Sequence, residues 1–165
     1  MDIAVTDANI FIDLIYLDLH HILPKIDLKI YTTHEVLGEL YDEQQEALQL
    51  LISAGDLIVY NFSGDERDAL EIFFISRKIS PVDHSVIFLA EKMGATLLTG
   101  DEPVRKTCLE RNLKAHGILW LFDLFFDNQL LTPISCAENL EKLMKKNSRL
   151  PRMECHSRLD RWKNN

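Results

Sequence analysis

The chain has 165 residues, 47% of them hydrophobic, and a net charge of −8 at neutral pH. That length suits one domain with a sizeable core, and no apolar run approaches the roughly 18 to 20 residues of a membrane span. An acidic residue at position 2 without a basic N-terminal segment argues against a signal peptide, while the scattered Cys108, Cys136 and Cys155 argue against a disulfide framework or structural zinc and fit a reducing cytoplasm.

Asp2 to Thr6 reads as a first strand ending at Asp7, and Ala8 to Tyr16 as a helix started by Asp7 or Asn9. Pro24 interrupts the pattern. Lys29 to Thr32 is β-branched and aromatic, a second strand. Thr33 can cap a helix from His34 to about Glu43, and a further helix, Glu46 to Ala54, stops at Gly55. Leu57 to Tyr60 is a third strand, and Asp65 to Lys78 carries Ala69, Leu70, Phe73 and Phe74 at helical spacing.

Val86, Leu89, Ala90 and Met93 put an apolar face on a helix opened by Asp83 and turned at Gly94. Ala95 to Thr99 is a buried strand bounded by glycines, and Glu102-Pro103 opens the next helix, with Pro in its first turn. Lys114 to Gly117 is a short last strand. Ile118 to Phe126, Ala137 to Lys146 and Glu154 to Trp162 are helical, with 127–135 the weakest internal boundary. Strands alternating with helices predict an α/β domain with a mainly parallel sheet.

Charge is uneven. Residues 142 to 165 hold eight basic residues against Glu154 and Asp160, a net +6, which leaves −14 on the rest. From Ile30 to Glu66 there is no Lys or Arg. An acidic body with a basic tail suits a cation site plus a surface for a polyanion; equally, the tail can lie on its own acidic body.

Four acids stand at loop or helix starts where an α/β fold gathers them: Asp7, Glu39, Asp83 and Asp101. Each also has a plain role. Asp7 can be only a helix cap, Ser80 to Asp83 fits a capping box, and Asp101 before Glu102-Pro103 is a good helix start. Glu39 is harder to explain so, because Glu35, Glu39 and Glu43 form an i, i+4, i+8 stripe with no Lys to relieve it. Four carboxylates brought together repel unless a cation sits between them, and oxygen-only ligands suit Mg²⁺ or Mn²⁺.

These segments resemble the PIN domain, found in VapC-type toxins of bacterial toxin–antitoxin pairs and in related nucleases. Val5-Thr6-Asp7-Ala8-Asn9 is similar to its opening motif, Leu37-Gly38-Glu39-Leu40 to its helix-borne Glu, Asp83-His84-Ser85 to its third acid with a small residue after it, and Thr99-Gly100-Asp101 to its T-x-D motif. Ala115 to Trp120 is similar to the Gly-containing strand-to-helix segment that follows. The likeness covers about residues 1–126 and leaves 127–165 as a helical basic extension of a single domain.

The resemblance implies a three-layer α/β/α fold and divalent-metal-dependent cleavage of RNA phosphodiester bonds, in the toxin half of a type II pair. It makes Asp7, Glu39, Asp83 and Asp101 the catalytic and metal residues, with Asn9 and Thr99 as polar supports. It also implies a cognate antitoxin that blocks the acidic groove. Arg105 and Lys106, close after Asp101, could contact the RNA backbone or simply be solvated. The alternative function is a non-catalytic module that binds RNA or protein through the same fold. Phe11, Leu14 and Leu17 could serve a homodimer or partner surface, but core packing suits them better. His20, His21, His84 and His116 are too scattered for a ligand set. Trp162 could stack on a base or pack down.

Phosphate-binding glycine loops and a nucleophile elbow are missing. So is the D-x-D opening of haloacid-dehalogenase phosphatases, because Asn9 takes its second place.

Overall fold

The computed structural model describes residues 2–73 and 78–164. Its strands are β1 (Asp2–Thr6), β2 (Leu28–Thr33), β3 (Leu57–Tyr60), β4 (Thr96–Leu98) and β5 (Ala115–His116). They form one parallel sheet in the order β3-β2-β1-β4-β5. The helices are α1 (Ala8–Tyr16), α2 (His34–Glu39), α3 (Asp42–Ala54), α4 (Gly64–Ile72) and α5 (Pro81–Met93), then α6 (Glu102–Glu110), α7 (Ile118–Asp127), α8 (Pro133–Lys146) and α9 (Arg152–Lys163). A short 3₁₀ turn, His20–Lys25, follows α1 and contains Pro24.

The central strands are apolar on both faces, and Ala4, Val5, Ile30, Leu97 and Leu98 are buried. A parallel sheet of this kind is stable only when helices cover both sides, which gives the three-layer α/β/α fold. Among the described residues, no helix is long and apolar enough to cross a membrane.

The strand order decides where chemistry can occur. From β1 the chain builds outward through β2 and β3, then returns to lay β4 on the other side of β1 and β5 beyond it. The crossovers therefore diverge between β1 and β4, and a crevice opens at the carboxyl ends of those two strands. Asp7 directly follows β1, and Asp101 stands three residues after Leu98, the last residue of β4. The register Val5↔Leu97, Thr6↔Leu98 brings these ends side by side.

Local sequence sets most boundaries. Gly55 and Gly94 end α3 and α5 in the left-handed region, at φ 81° and 60°, where a β-carbon would be strained. Pro81, Pro103 and Pro133 lie in first turns, and Ser80, Asp101 and Thr132 cap those helices through their side chains.

Two expectations change. The helix from His34 stops at Glu39 rather than about Glu43, because Leu40 turns extended to bury its side chain and Tyr41 starts α3, its N–H donating to Gln44 Oε1 at 3.0 Å. The Glu35-Glu39-Glu43 stripe is therefore broken between two helices, and Arg67 stands 3.7 Å from Glu35. α3 also begins four residues before Glu46, at Asp42. The helix expected from Asp65 to Lys78 runs Gly64–Ile72 and ends at Phe73, whose backbone leaves the helix; Lys78 lies in a turn, and 74–77 lie outside the described residues.

The basic extension packs into the same core. Cys136, Leu140, Leu143, Cys155, Leu159 and Trp162 all join the main hydrophobic cluster. Trp162 is 1% exposed and lies against Phe122 and Phe126. Much of the tail's charge is spent on the body. Arg158 and Arg161 pair with Asp123 and Asp127, Lys163 pairs with Glu141, and Lys142 and Lys146 lie over the Tyr16 ring. The three cysteines are free and buried, and burial pushes the Cys108 and Cys136 thiols up to about 11.

Candidate active site

Asp7 is the N-cap of α1. Its Oδ1 accepts from the Ile10 N–H at 3.2 Å, and its own N–H donates to the Leu98 carbonyl of β4 at 3.1 Å. Its other carboxylate oxygen accepts from the Thr99 hydroxyl. The side chain is 3% exposed. Burial pushes its pKa up to about 7, the charge of Asp83 adds to that rise, and the bonds from Thr99 and Ile10 oppose it. A carboxylate so placed is costly to ionise and close to another.

Thr99 ties the second acid to the first. While its hydroxyl donates to Asp7, its oxygen accepts from the Asp101 N–H at 3.1 Å. Asp101 caps α6 by accepting from the Val104 N–H at 3.1 Å. One buried threonine thus fixes both acids at the crevice between β1 and β4. The capping roles are real for Asp7 and Asp101, and they coexist with a shared site.

Asp83 lies in the first turn of α5. Its carboxylate accepts from the Ser80 hydroxyl at 2.7 Å, and its N–H donates to Ser80 Oγ at 3.0 Å. Glu39 is exposed at the end of α2 and makes no hydrogen bond among the described residues. Its carboxyl is raised, first by partial burial and then by the charge of Asp83. Asp83 therefore acts on both Asp7 and Glu39, and the fold brings three carboxylates into one field while Thr99 attaches the fourth.

Sequence reasoning missed the bolt between these parts. Thr33, expected only as a cap, does accept from the Val36 N–H at 3.3 Å. Its hydroxyl also meets Ser85 Oγ at 2.9 Å, and Ser85 donates to the Val82 carbonyl. This buried pair joins the β2–α2 corner to α5 and holds Glu39 and Asp83 on facing elements. The signal available was the small residue two places after Asp83.

The two polar supports differ. Thr99 makes the bonds just described. Asn9 gives Asp7 a backbone N–H, but its side chain forms no hydrogen bond among the described residues and lies beside Gly100. Arg105 and Lys106 are exposed on α6 and line a cleft that begins at Asp101. Another link off the motif holds the extension: Asp13, buried on α1, accepts from Asn147 Nδ2 at 2.9 Å.

The donor set suits a hard cation. It consists of carboxylates, with no His or Cys, and burial first, with the charge of Asp83 behind it, raises both Asp7 and Glu39, a cost of ionising that a cation would offset. Among the described residues no three of these acids bring their oxygens within 4.8 Å of one another. The four acids are thus no ready-made cage, and waters would have to complete the shell of any hard cation held there. The group that does meet the closer spacing is Asp18, His20 and His21, beyond the far end of α1 from Asp7.

Compared with known proteins, residues 3–164 match a family model described as a PIN domain. No curated protein matches the chain.

Proposed function

Since this chain belongs to the PIN domain family, a fold of nuclease type, we propose that it is a divalent-metal-dependent ribonuclease, the toxin component of a type II toxin–antitoxin pair. The observation that carries the reading is Thr99, whose single hydroxyl holds Asp7 and Asp101 together at the sheet's switch point.

Asp7, Asp83 and Asp101 would hold the ion, directly or through its waters, with Glu39 direct or through water. A bound Mg²⁺ or Mn²⁺ supplies Lewis acidity, making water nucleophilic near neutral pH and offsetting charge on the phosphate oxygens. The protein's part is placement. Thr99 fixes the rotamer of Asp7, Ser80 fixes that of Asp83, and the Thr33–Ser85 bond keeps α2 against α5. α1 and α6 start at Asp7 and Asp101, and Asp83 lies in the first turn of α5, so their positive ends favour negative charge there and an incoming phosphate. Arg105 and Lys106 contact the RNA backbone. An acidic antitoxin would compete for the same cations and crevice.

The test is cleavage of a mixed pool of structured RNA by the full chain, wild type beside Asp83→Asn, with Mn²⁺ and with EDTA. Cleavage by the wild type in Mn²⁺ alone is expected. Cleavage that persists in EDTA or in Asp83→Asn removes the acid-cluster mechanism. Metal-independent RNA binding without cleavage, surviving Asp7→Asn, favours the non-catalytic binding module instead.

A further inference from the structure

A cleft of about 720 Å³ leads away from Asp101, within the roughly 300 to 1,000 Å³ usual for ligand pockets. Its walls are the start of α6, the end of β5, the start of α7 and the segment joining α8 to α9. Of the four site acids only Asp101 lines it.

On its wall, His116 and Trp120 stack with centroids 4.5 Å apart and planes 10° from parallel. Both are half-buried, so the pair keeps exposed ring surface. β5 ends at His116 and Gly117 caps α7, which sets the two rings face to face across the strand-to-helix turn. Burial, with Arg105 and Lys114 nearby, lowers the His116 pKa and keeps its ring neutral at physiological pH.

Cations share the cleft with this stack. Arg105, Lys106 and Arg149 line the cleft, and among the described residues none has a carboxylate within ion-pair distance. Arg105 lies by the turn that joins the two rings. A β-carbon added at Gly117 would lie 3.9 Å from its Nη1. The contrast with the neighbouring Arg158 matters: it also lines the cleft, but it is committed to Asp123 at 2.6 Å. The acids in the cleft are Asp13, bonded to Asn147, then Asp101, Glu102 and Glu154, the last 3.7 Å from Arg158. In a chain of net charge −8, three unpaired cations in one cleft with an aromatic step form a local exception.

We propose that this cleft seats an unpaired nucleotide of RNA beside the acids, its base laid on the His116–Trp120 stack and its flanking phosphates on Arg105, Lys106 and Arg149. The identity of the strand rests on the ribonuclease reading; the stacking platform does not. Bases in a duplex are already stacked on one another, whereas an unpaired base offers a free π-face to an aromatic side chain. The extension supplies Arg149 and the wall opposite α6, and the Asp13–Asn147 bond fixes where that wall stands.

The test is binding of a short labelled single-stranded RNA to the full chain in EDTA, read by fluorescence anisotropy. Because no metal is present, the result does not depend on whether the protein cleaves. Trp120→Ala should weaken binding roughly five- to a hundredfold, and Trp120→Phe should keep most of it. The wild type should bind a base-free strand of equal length about as weakly as Trp120→Ala binds the intact one, an arm that needs no variant. Duplex RNA should be indifferent to Trp120→Ala. Equal binding of the single strand by wild type and folded Trp120→Ala, or of intact and base-free strands by the wild type, overturns the proposal. Mn²⁺-dependent cleavage together with either of those results would leave the nuclease standing and the cleft without its nucleotide.

Discussion

Asp7 concentrates the conflict between folding and function. Its carboxyl is lifted by burial from an ordinary 3.8 to about 7, so the folded chain holds that proton more tightly than the unfolded chain does. Below about pH 4 both states keep the proton and the side chain costs nothing. As pH rises to about 7 the unfolded chain ionises first, and folding stability falls through that window. A rise of that size costs the fold about 4 kcal/mol at most, with the metal-free protein at pH 8 bearing the whole cost. Asp7→Asn keeps an acceptor for the Ile10 N–H and has nothing to ionise. It is expected to make the metal-free protein more stable than the wild type by roughly 2 to 4 kcal/mol at pH 8, and by less at pH 5, while abolishing cleavage. Urea unfolding of both proteins in EDTA at the two pH values measures this. Identical pH slopes would show that Asp7 does not carry the raised pKa. A cation bound beside Asp7 would offset the cost of ionising it.

The elements divide by how far their making is local. β1–α1 and α5–β4–α6 were legible because apolar periodicity, a capping Ser or Asp, first-turn proline and terminal glycine agree over short spans. The end of α2 was not, because the Glu stripe and the apolar positions run on past Leu40, and only the burial of Leu40 and the new start at Tyr41 break the helix. The four acids and Thr99 as a support were expectations of the sequence, but the bonds themselves were not legible, since Thr33 finds Ser85 fifty-two residues away and Thr99 finds Asp7 ninety-two away. The two tryptophans were equally open by composition. Packing decided between them: Trp162 is sealed against Phe122 and Phe126, and Trp120 keeps a face in the cleft. This makes α9 part of the core rather than an appendage. Trp162→Ala should cost about 3 to 5 kcal/mol, the usual loss for a buried aromatic. Chemical denaturation should show one transition moved to lower denaturant; a loss under about 1 kcal/mol would mean that α9 docks only loosely.

Across the whole molecule the charge pattern left the basic tail two equal readings, a surface for a polyanion or a clasp on its own acidic body, and much of the tail is a clasp. Arg158, Arg161 and Lys163 are paired with acids of the body and of α8, and Lys142 and Lys146 cover Tyr16. Among the described residues Lys25, Lys114, Lys145 and Arg152 are also exposed without an ion pair, but Arg105, Lys106 and Arg149 are the ones that share one cleft. The surrounding net charge of −8 repels nucleic acid at long range, but at physiological salt that field is screened beyond about 8 Å. Affinity must then come from a few contacts and from stacking rather than from a basic face. Single-strand binding releases counterions with a slope of about −0.7 in log K against log salt for each phosphate neutralised. Three cations predict a slope near about −2 for this chain in EDTA, and Arg149→Ala should flatten it by about 0.7 while leaving the stacking contribution in place. Anisotropy titrations over a range of KCl concentrations measure both slopes. A slope several times steeper would mean that the tail's ion pairs open to meet the strand. A slope near zero would remove the phosphate contacts and leave only the aromatic step.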